Sequence, residues 1–221
     1  MKGEDGMRTK GLIFDFDGTL GDSRECGILA TQKAFSDIGL MIPDEKTIEY
    51  YMGIPIEKSF LEMAHRQLSE EKLMELLTIF RSRYQFFEEK SLKVFDGIPE
   101  LLTILKEQGI KCFVVSSKKT DILNRNLKGL GIAAFFAETI GSDKVTHYKP
   151  HPEGITIILK NHGLQKDEVR MIGDATFDIE MGQAAGVGTV AVAWGSHTKE
   201  ALLAVRPDFF IEHPLDLIET L

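Results

Sequence analysis

The sequence predicts an α/β protein: a parallel sheet with helices on both faces and an all-helical block inserted after the first strand. Three observations carry that expectation. The short apolar run Leu12, Ile13 and Phe14, continued by Phe16, reads as a buried strand that ends in acidic residues and the turn pair Gly18-Thr19. From Asp22 to about Lys90 the pattern is helical, with no convincing strand. From Ser91 onward strand-like and helix-like segments alternate, which is the signature of parallel strands joined by helical crossovers.

Within the helical block, Asp22 followed by Glu25 three residues on reads as a capping box opening a helix to about Ile38, closed by Gly39. Shorter helices follow at DEKTIEYY and PIEKSFLEMAH, separated by the breaker Gly53-Ile54-Pro55. Leu73, Leu77, Phe80, Tyr84 and Phe87 then recur at spacings of three and four, forming one apolar face of a long helix. Beyond Ser91 come helix IPELLTILKEQG, strand KCFVVSS, helix TDILNRNLKGLG and a short strand in FFAETIG. Helix PEGITIILKNHG precedes strand VRMIGD, and helix FDIEMGQAAG precedes strand GTVAVAW. A further helix, a short FFI strand and a terminal helix complete the chain. The expected division is 1–21 with 91–221 as the sheet-containing core, and 22–90 as the helical unit.

The 221 residues are enough to bury a sizeable core, and the net charge of −8 argues against a general nucleic-acid binder, which needs clustered Lys and Arg. Cys26 and Cys112 are far apart in sequence and read as reduced structural thiols. The leader MKGEDGMRTKG lacks the apolar core of a signal peptide, and no apolar stretch approaches a membrane span. The expectation is a cytoplasmic protein without membrane or nucleic-acid partners, with Met7 an alternative start and the residues before it disordered. Sequence leaves the oligomeric state, monomer or homodimer, open.

In an open α/β sheet, ligands collect beyond the carboxyl ends of the strands. Four polar groups fall there: Asp15 and Asp17 after the first strand; Ser116 and Ser117 after VV; Lys149 before Pro150-His151-Pro152; and Asp174 with Asp178 after MIG. Alternation places Asp15 and Asp17 on one side of an extended chain. At an effective dielectric of about 20, two such carboxylates roughly 4 Å apart repel by about 4 kcal/mol. A hard divalent cation with oxygen ligands, such as Mg2+, relieves that repulsion. Asp178, one helical turn beyond Asp174, can face the same crevice or orient Lys149. Lys118 and Lys119 read as solvated residues at a helix start, with Lys118 a further source of positive potential. His147 and His151 flank Lys149 but read as loop histidines, since no cysteine lies near.

The order DFDGTL, a serine ending VVSS, KPHPEG and GDATFDIE resembles the haloacid dehalogenase (HAD) superfamily of phosphatases, whose core is Rossmann-like. The resemblance spans Asp15 to Asp178. It implies Asp15 as the nucleophile that forms an aspartyl-phosphate, and Asp17 as the general acid and base. It implies Mg2+ held by Asp15, the Asp17 backbone carbonyl and Asp174 with Asp178 nearby, and phosphoryl oxygens held by Ser116, Ser117 and Lys149. Many relatives carry asparagine where this chain has Ser117. An acid at Asp17 sets the chain apart from the phosphate-pumping ATPase relatives, which carry threonine there.

The helical block resembles the C1-type cap of that superfamily, implying a small phosphorylated metabolite as substrate and hinges near Gly21-Asp22 and Ser91–Phe95. Lys58, Arg24 and Arg66 are candidate anion contacts of the cap. The C-terminal stretch AAGVGTVAVAWGSHTKEALLAVRPDFFIEHPLDL resembles phosphoglycolate phosphatases and related pyrophosphatases. A β-phosphoglucomutase-like phosphotransferase is the alternative enzyme, although mutases usually read DLDGV. A non-catalytic binding protein would be expected to have lost an acid, the serine or the lysine, and none is missing. A DxD glycosyltransferase gives no reason for the KPxP and GDxxxD set.

Overall fold

The computed structural model describes residues 9–221 except positions 53 and 66. Residues 1–8, Met7 among them, and Gly53 and Arg66 therefore lie outside the described residues. In chain order the elements are β1 (Gly11–Phe14), β2 (Gly21–Asp22), α1 (Arg24–Asp37), α2 (Glu45–Tyr51), α3 (Ile56–Met63) and α4 (Glu70–Ser91). There follow β3 (Lys93–Val94), α5 (Ile98–Glu107), β4 (Lys111–Val115), α6 (Thr120–Gly129), β5 (Phe136–Ile140) and α7 (Glu153–His162). The chain ends with β6 (Val169–Gly173), α8 (Thr176–Ala185), β7 (Gly188–Val192), α9 (Lys199–Ala204) and β8 (Phe209–Ile211).

Six strands form one sheet in the order β5-β4-β1-β6-β7-β8, and every pairing in it is parallel. The chain builds outward from β1 to β4 and β5 on one side, then reverses to β6, β7 and β8 on the other. The carboxyl ends of β1, β4 and β6 therefore flank a topological switch point, where such sheets bind ligands. Helices cover both faces of the sheet, and the central strands are buried, as parallel sheets require. Leu12, Phe14, Val114 and Ile172 pack against α5 and α6 through Leu101, Leu105 and Leu123. Ile13, Phe113 and Met171 pack on the opposite face against Ile155 and Ile158 of α7 and Met181 of α8.

Helices α1 to α4 enclose a separate cluster around Phe35, Phe60, Leu76, Leu77 and Phe80. Its aromatic rings meet edge to face, with Phe60 5.4 Å from Phe35 and 5.0 Å from Phe80. The stripe predicted on α4 is rotated slightly. Leu76, Leu77, Phe80, Tyr84 and Glu88 are buried, while Leu73 and Phe87 are only partly so. Both crossings of the chain into this helical insertion are tied together, because β2 and β3 form a two-stranded antiparallel ribbon pairing Gly21 with Val94 and Asp22 with Lys93. The sequence gives no sign of it, since two-residue strands carry no period.

Two local expectations are corrected. The cap position of α1 is Ser23 rather than Asp22: the Ser23 hydroxyl is drawn away to the Asp17 carboxylate, while Asp22 Oδ1 accepts from the first helical N–H, that of Arg24, at 3.4 Å. The terminal helix is a 3-10 segment, Pro214–Thr220. Asp216 accepts from the His213 N–H at 2.9 Å, and i→i+3 bonding keeps the short turn tight. Cys26 and Cys112 are buried free thiols, and burial pushes them up to about 11 and about 12. Among the described residues no helix is long and apolar enough to cross a membrane.

Candidate active site

β1 ends at Phe14 and delivers Asp15 into the crevice, with the Asp15 N–H donating to Ile172 O at 2.9 Å. β4 likewise ends one residue before Ser116, and β6 one residue before Asp174. The loop after β5 travels further before presenting Lys149, whose ammonium lies 2.8 Å from Asp15 Oδ1 and 2.7 Å from Asp178 Oδ1. The loop's shape is held by Glu153, which accepts from the backbone N–H groups of Thr146 at 3.0 Å and His147 at 2.8 Å. His147 Nδ1 lies 3.1 Å from the same carboxylate, and the His147 and His151 rings sit 4.4 Å apart. His147, His151 and Glu153 bring their ligand atoms within 4.8 Å of one another on the Lys149 loop, two of the three exposed.

Asp15, Asp174 and Asp178 gather their carboxylate oxygens within 4.8 Å of one another, and each residue is at most 2% exposed. Asp174 is fixed from two sides: Oδ1 accepts from the Thr19 hydroxyl at 2.9 Å and Oδ2 from the Ser196 N–H at 2.7 Å. Its neighbours must be glycine. A Cβ on Gly18, already at φ +76°, would lie 2.2 Å from Asp174 Oδ2, and one on Gly195 would lie 2.1 Å from Asp174 Cβ. Asp178 both holds Lys149 and caps its own helix, its Oδ2 accepting from the Ala175 N–H at 3.1 Å.

Burial raises the Asp15 carboxyl well above the usual range; Lys149 pulls it back, and Asp178, Asp174 and Asp17 push it further up. Burial, then the neighbouring Asp178, pushes Asp174 up to about 6 against the pull of Ser196, Thr19 and Lys149. For Lys149, burial opposes the charge, but Asp15 and Asp178 outweigh it and hold the ammonium protonated well above its ordinary range. Three buried carboxylates around one ammonium leave negative charge uncompensated. An all-oxygen donor set of that charge and spacing fits a hard divalent cation such as Mg2+.

Asp17 stands apart from this cluster. The chain turns at once after Phe16, whose carbonyl accepts from the Thr19, Leu20 and Gly21 N–H groups, so the extended alternation stops there. The Asp17 carboxylate meets the Ser23 hydroxyl and, at 2.5 Å, the Lys118 ammonium. Lys118 is therefore no solvated helix-start residue. Its side chain is 13% exposed and also donates to the Tyr84 hydroxyl of α4 at 2.9 Å. Burial opposes its charge, but Asp17 and Tyr84 hold it protonated above the ordinary lysine range. Ser116 Oγ accepts from the Lys118 N–H at 3.2 Å, linking strand end and lysine.

Tyr84 was legible only as a member of an apolar stripe, and its hydroxyl gave no separate signal. The same holds for Glu88, which is 9% exposed. It accepts from Arg125 Nε at 2.6 Å and Asn126 Nδ2 at 3.0 Å on α6, fastening the last turns of α4 to the sheet-containing part. Asp15, Asp17, Ser117 and Lys118 also line a cavity of about 130 Å³ whose far wall comes from α1 to α4. Among the cap residues named from sequence, Ile54 lines it, whereas Lys58 and Arg24 do not; Arg24 pairs instead with Glu49.

The family model for haloacid dehalogenase-like hydrolases matches residues 12–192. A Listeria monocytogenes protein named Pyrophosphatase PpaX is 33% identical over 211 residues, 94% of each chain. A Dickeya dadantii protein named "Probable phosphatase IndB" is 30% identical over 203 residues, 91% of this chain and 88% of its own. Among solved structures, a haloacid dehalogenase-like hydrolase of Streptococcus pneumoniae is 30% identical with a TM-score of 0.84, covering 96% of this chain and 98% of that one. A protein of Haemophilus somnus described as a predicted phosphoglycolate phosphatase shares the fold with a TM-score of 0.89 over 96% and 97% of the chains, at 24% identity.

Proposed function

Because the chain belongs to the haloacid dehalogenase-like hydrolases and is a phosphatase of that family, we propose that it is a Mg2+-dependent phosphomonoester hydrolase acting on a small phosphorylated metabolite through an aspartyl-phosphate on Asp15. The observation that carries this reading is the buried Asp15–Lys149–Asp178–Asp174 constellation at the switch point of the sheet. In this reading residues 22–90 act as a cap on a core formed by 1–21 and 91–221, hinged at the β2–β3 ribbon.

A Mg2+ held by Asp15, Asp174, Asp178 and the Asp17 backbone carbonyl would supply the positive charge that lets an anionic nucleophile and a phosphate dianion approach. Asp15 attacks phosphorus, forming the acyl phosphate as the bond to the leaving oxygen breaks. Asp17 delivers the proton to that oxygen. The Asp17 carboxylate then takes a proton from water, whose oxygen attacks phosphorus, releasing phosphate and restoring Asp15. Lys149 and the hydroxyls of Ser116 and Ser117 hold the phosphoryl oxygens, and Lys118 keeps the Asp17 carboxylate in place.

Pyrophosphate hydrolysis is a second reading, favoured by the identity to the protein named Pyrophosphatase PpaX. Phosphate release from a panel of phosphomonoesters and pyrophosphate, with and without Mg2+ and beside Asp15→Asn, tests both. Mg2+-dependent release that Asp15→Asn abolishes is the expected result. Release unaffected by Asp15→Asn would overturn the covalent mechanism.

A further inference from the structure

Resting on the phosphatase reading, we propose that the leaving group is an uncharged, largely apolar alcohol of about the size of a benzyl group. The wall facing Asp15 and Asp17 is built from Met52, Ile54, Ile56, Phe60, Phe80 and Tyr84. Met52 and Ile54 belong to neither hydrophobic cluster and are only partly covered, so their apolar surface faces the cavity rather than a core. Met52 approaches this wall over Gly27, where a Cβ would stand 3.4 Å from its methyl carbon. The cavity of about 130 Å³, shared between the leaving group and the phosphoryl group beside Asp15, is of the same order as the roughly 150 Å³ apolar cavity known to hold a benzene.

Reading a second anionic group, whether the carboxylate of phosphoglycolate or the second phosphate of pyrophosphate, needs an uncommitted cation on that wall. The lining cations are largely committed. Lys118 is held by Asp17 at 2.5 Å, Arg81 by Glu57 at 2.9 Å, and Arg125 by Glu88 at 2.6 Å. Lys119, the other lining lysine, is exposed and screened by solvent. An anionic leaving group would have to draw a cation out of one of these pairs, a step costly at the buried Lys118–Asp17 pair and cheaper at the half-exposed Arg81–Glu57 pair, or be buried against methyl and aromatic groups, which is costly. An apolar group meets neither cost and gains from burial.

The test compares kcat/KM for benzyl phosphate, an unactivated alcohol ester, with phosphoglycolate and pyrophosphate, all with Mg2+. Benzyl phosphate is expected to exceed both by at least tenfold; parity with or preference for either anion overturns the inference. The ratio of benzyl phosphate to phosphoglycolate turnover in one preparation is insensitive to loss of folded protein. Met52→Lys is expected to lower it tenfold or more, and Ile54→Lys serves if Met52→Lys fails to fold. An unchanged ratio in a folded variant also overturns the inference. No release from these three or from p-nitrophenyl phosphate overturns the phosphatase reading and this inference with it.

Discussion

Just beyond the sheet, Asp15, Lys149, Asp174 and Asp178 are buried charges, each held by at least one ionic or hydrogen-bonded partner. On the opposite wall of the same cavity, Met52, Ile54 and Ile56 are half-covered apolar side chains on short helices and the turn between them. The difference separates two tasks. Charges that must sit close to a reacting group are buried and locked to one another just beyond the sheet, where low-dielectric surroundings magnify their effect. Groups that select a leaving group by shape and hydrophobicity tolerate looser elements, because such contacts are non-directional.

The largest expected contrast comes from removing one lysine on each side. Lys149→Met deletes the cation between Asp15 and Asp178 and should lower kcat by on the order of 10²–10⁴. Lys58→Met, on the exposed face of α3, should leave kcat/KM within about twofold. Comparable losses in steady-state assays of the two variants would break the division of labour.

A pH experiment sharpens it. The folded state holds the Asp174 carboxyl near 6 against an ordinary 3.8, so folding favours its protonated form. That contribution is complete below about pH 4 and is lost as pH rises through 6. Metal-free protein should therefore lose thermal stability from this group as pH rises across that window, and Asp174→Asn should flatten the slope. Added Mg2+ should raise Tm more at pH 7.5 than at pH 5, since it binds the ionised cluster. Equal Mg2+ shifts at both values would count against a metal site made of these carboxylates.

The smallest effect belongs to the contact between the two regions. Glu88→Gln weakens the pairing with Arg125 and Asn126 and should cost about 1–2 kcal/mol, a fall in Tm of roughly 2–8 °C for a chain of this size. Calorimetry of wild type and variant measures it; an unchanged Tm would show that the contact adds nothing to stability.

What was legible in sequence follows the same division. Asp15, Ser116, Asp174 and Asp178 lie directly beyond short apolar strands or one turn further on, so local pattern places them. Lys149 was found by its KPHPEG context despite a long loop. Lys118 reads as solvated in sequence because its burial depends on Tyr84, 34 residues earlier and on a different element. Asp17 was read together with Asp15 by strand alternation, but the turn bonds to the Phe16 carbonyl end that alternation. Glu88 was invisible for the same reason as Lys118: its partners on α6 are 37 and 38 residues away. Of the cavity wall, the sequence marks the break at Ile54, but Lys58 and Arg24 lie elsewhere, since which face of a short helix meets a crevice is a tertiary outcome.

The β2–β3 ribbon has a consequence for how the chain finds its fold and how it can change. Pairing Gly11 with Lys111 requires closing a loop of about a hundred residues before any sheet contact is rewarded. Once the helices fold on their own aromatic cluster and the ribbon brings Gly21 to Val94, that long loop shrinks to two short arms. Since closure entropy grows only with the logarithm of loop length, segments of different size grafted between Asp22 and Lys93 would alter it little. The ribbon thus lets the stretch between those two residues vary in length at little closure cost while β1, β4 and β6 keep their register, provided the contacts of Ser23, Tyr84 and Glu88 to the rest of the chain are kept.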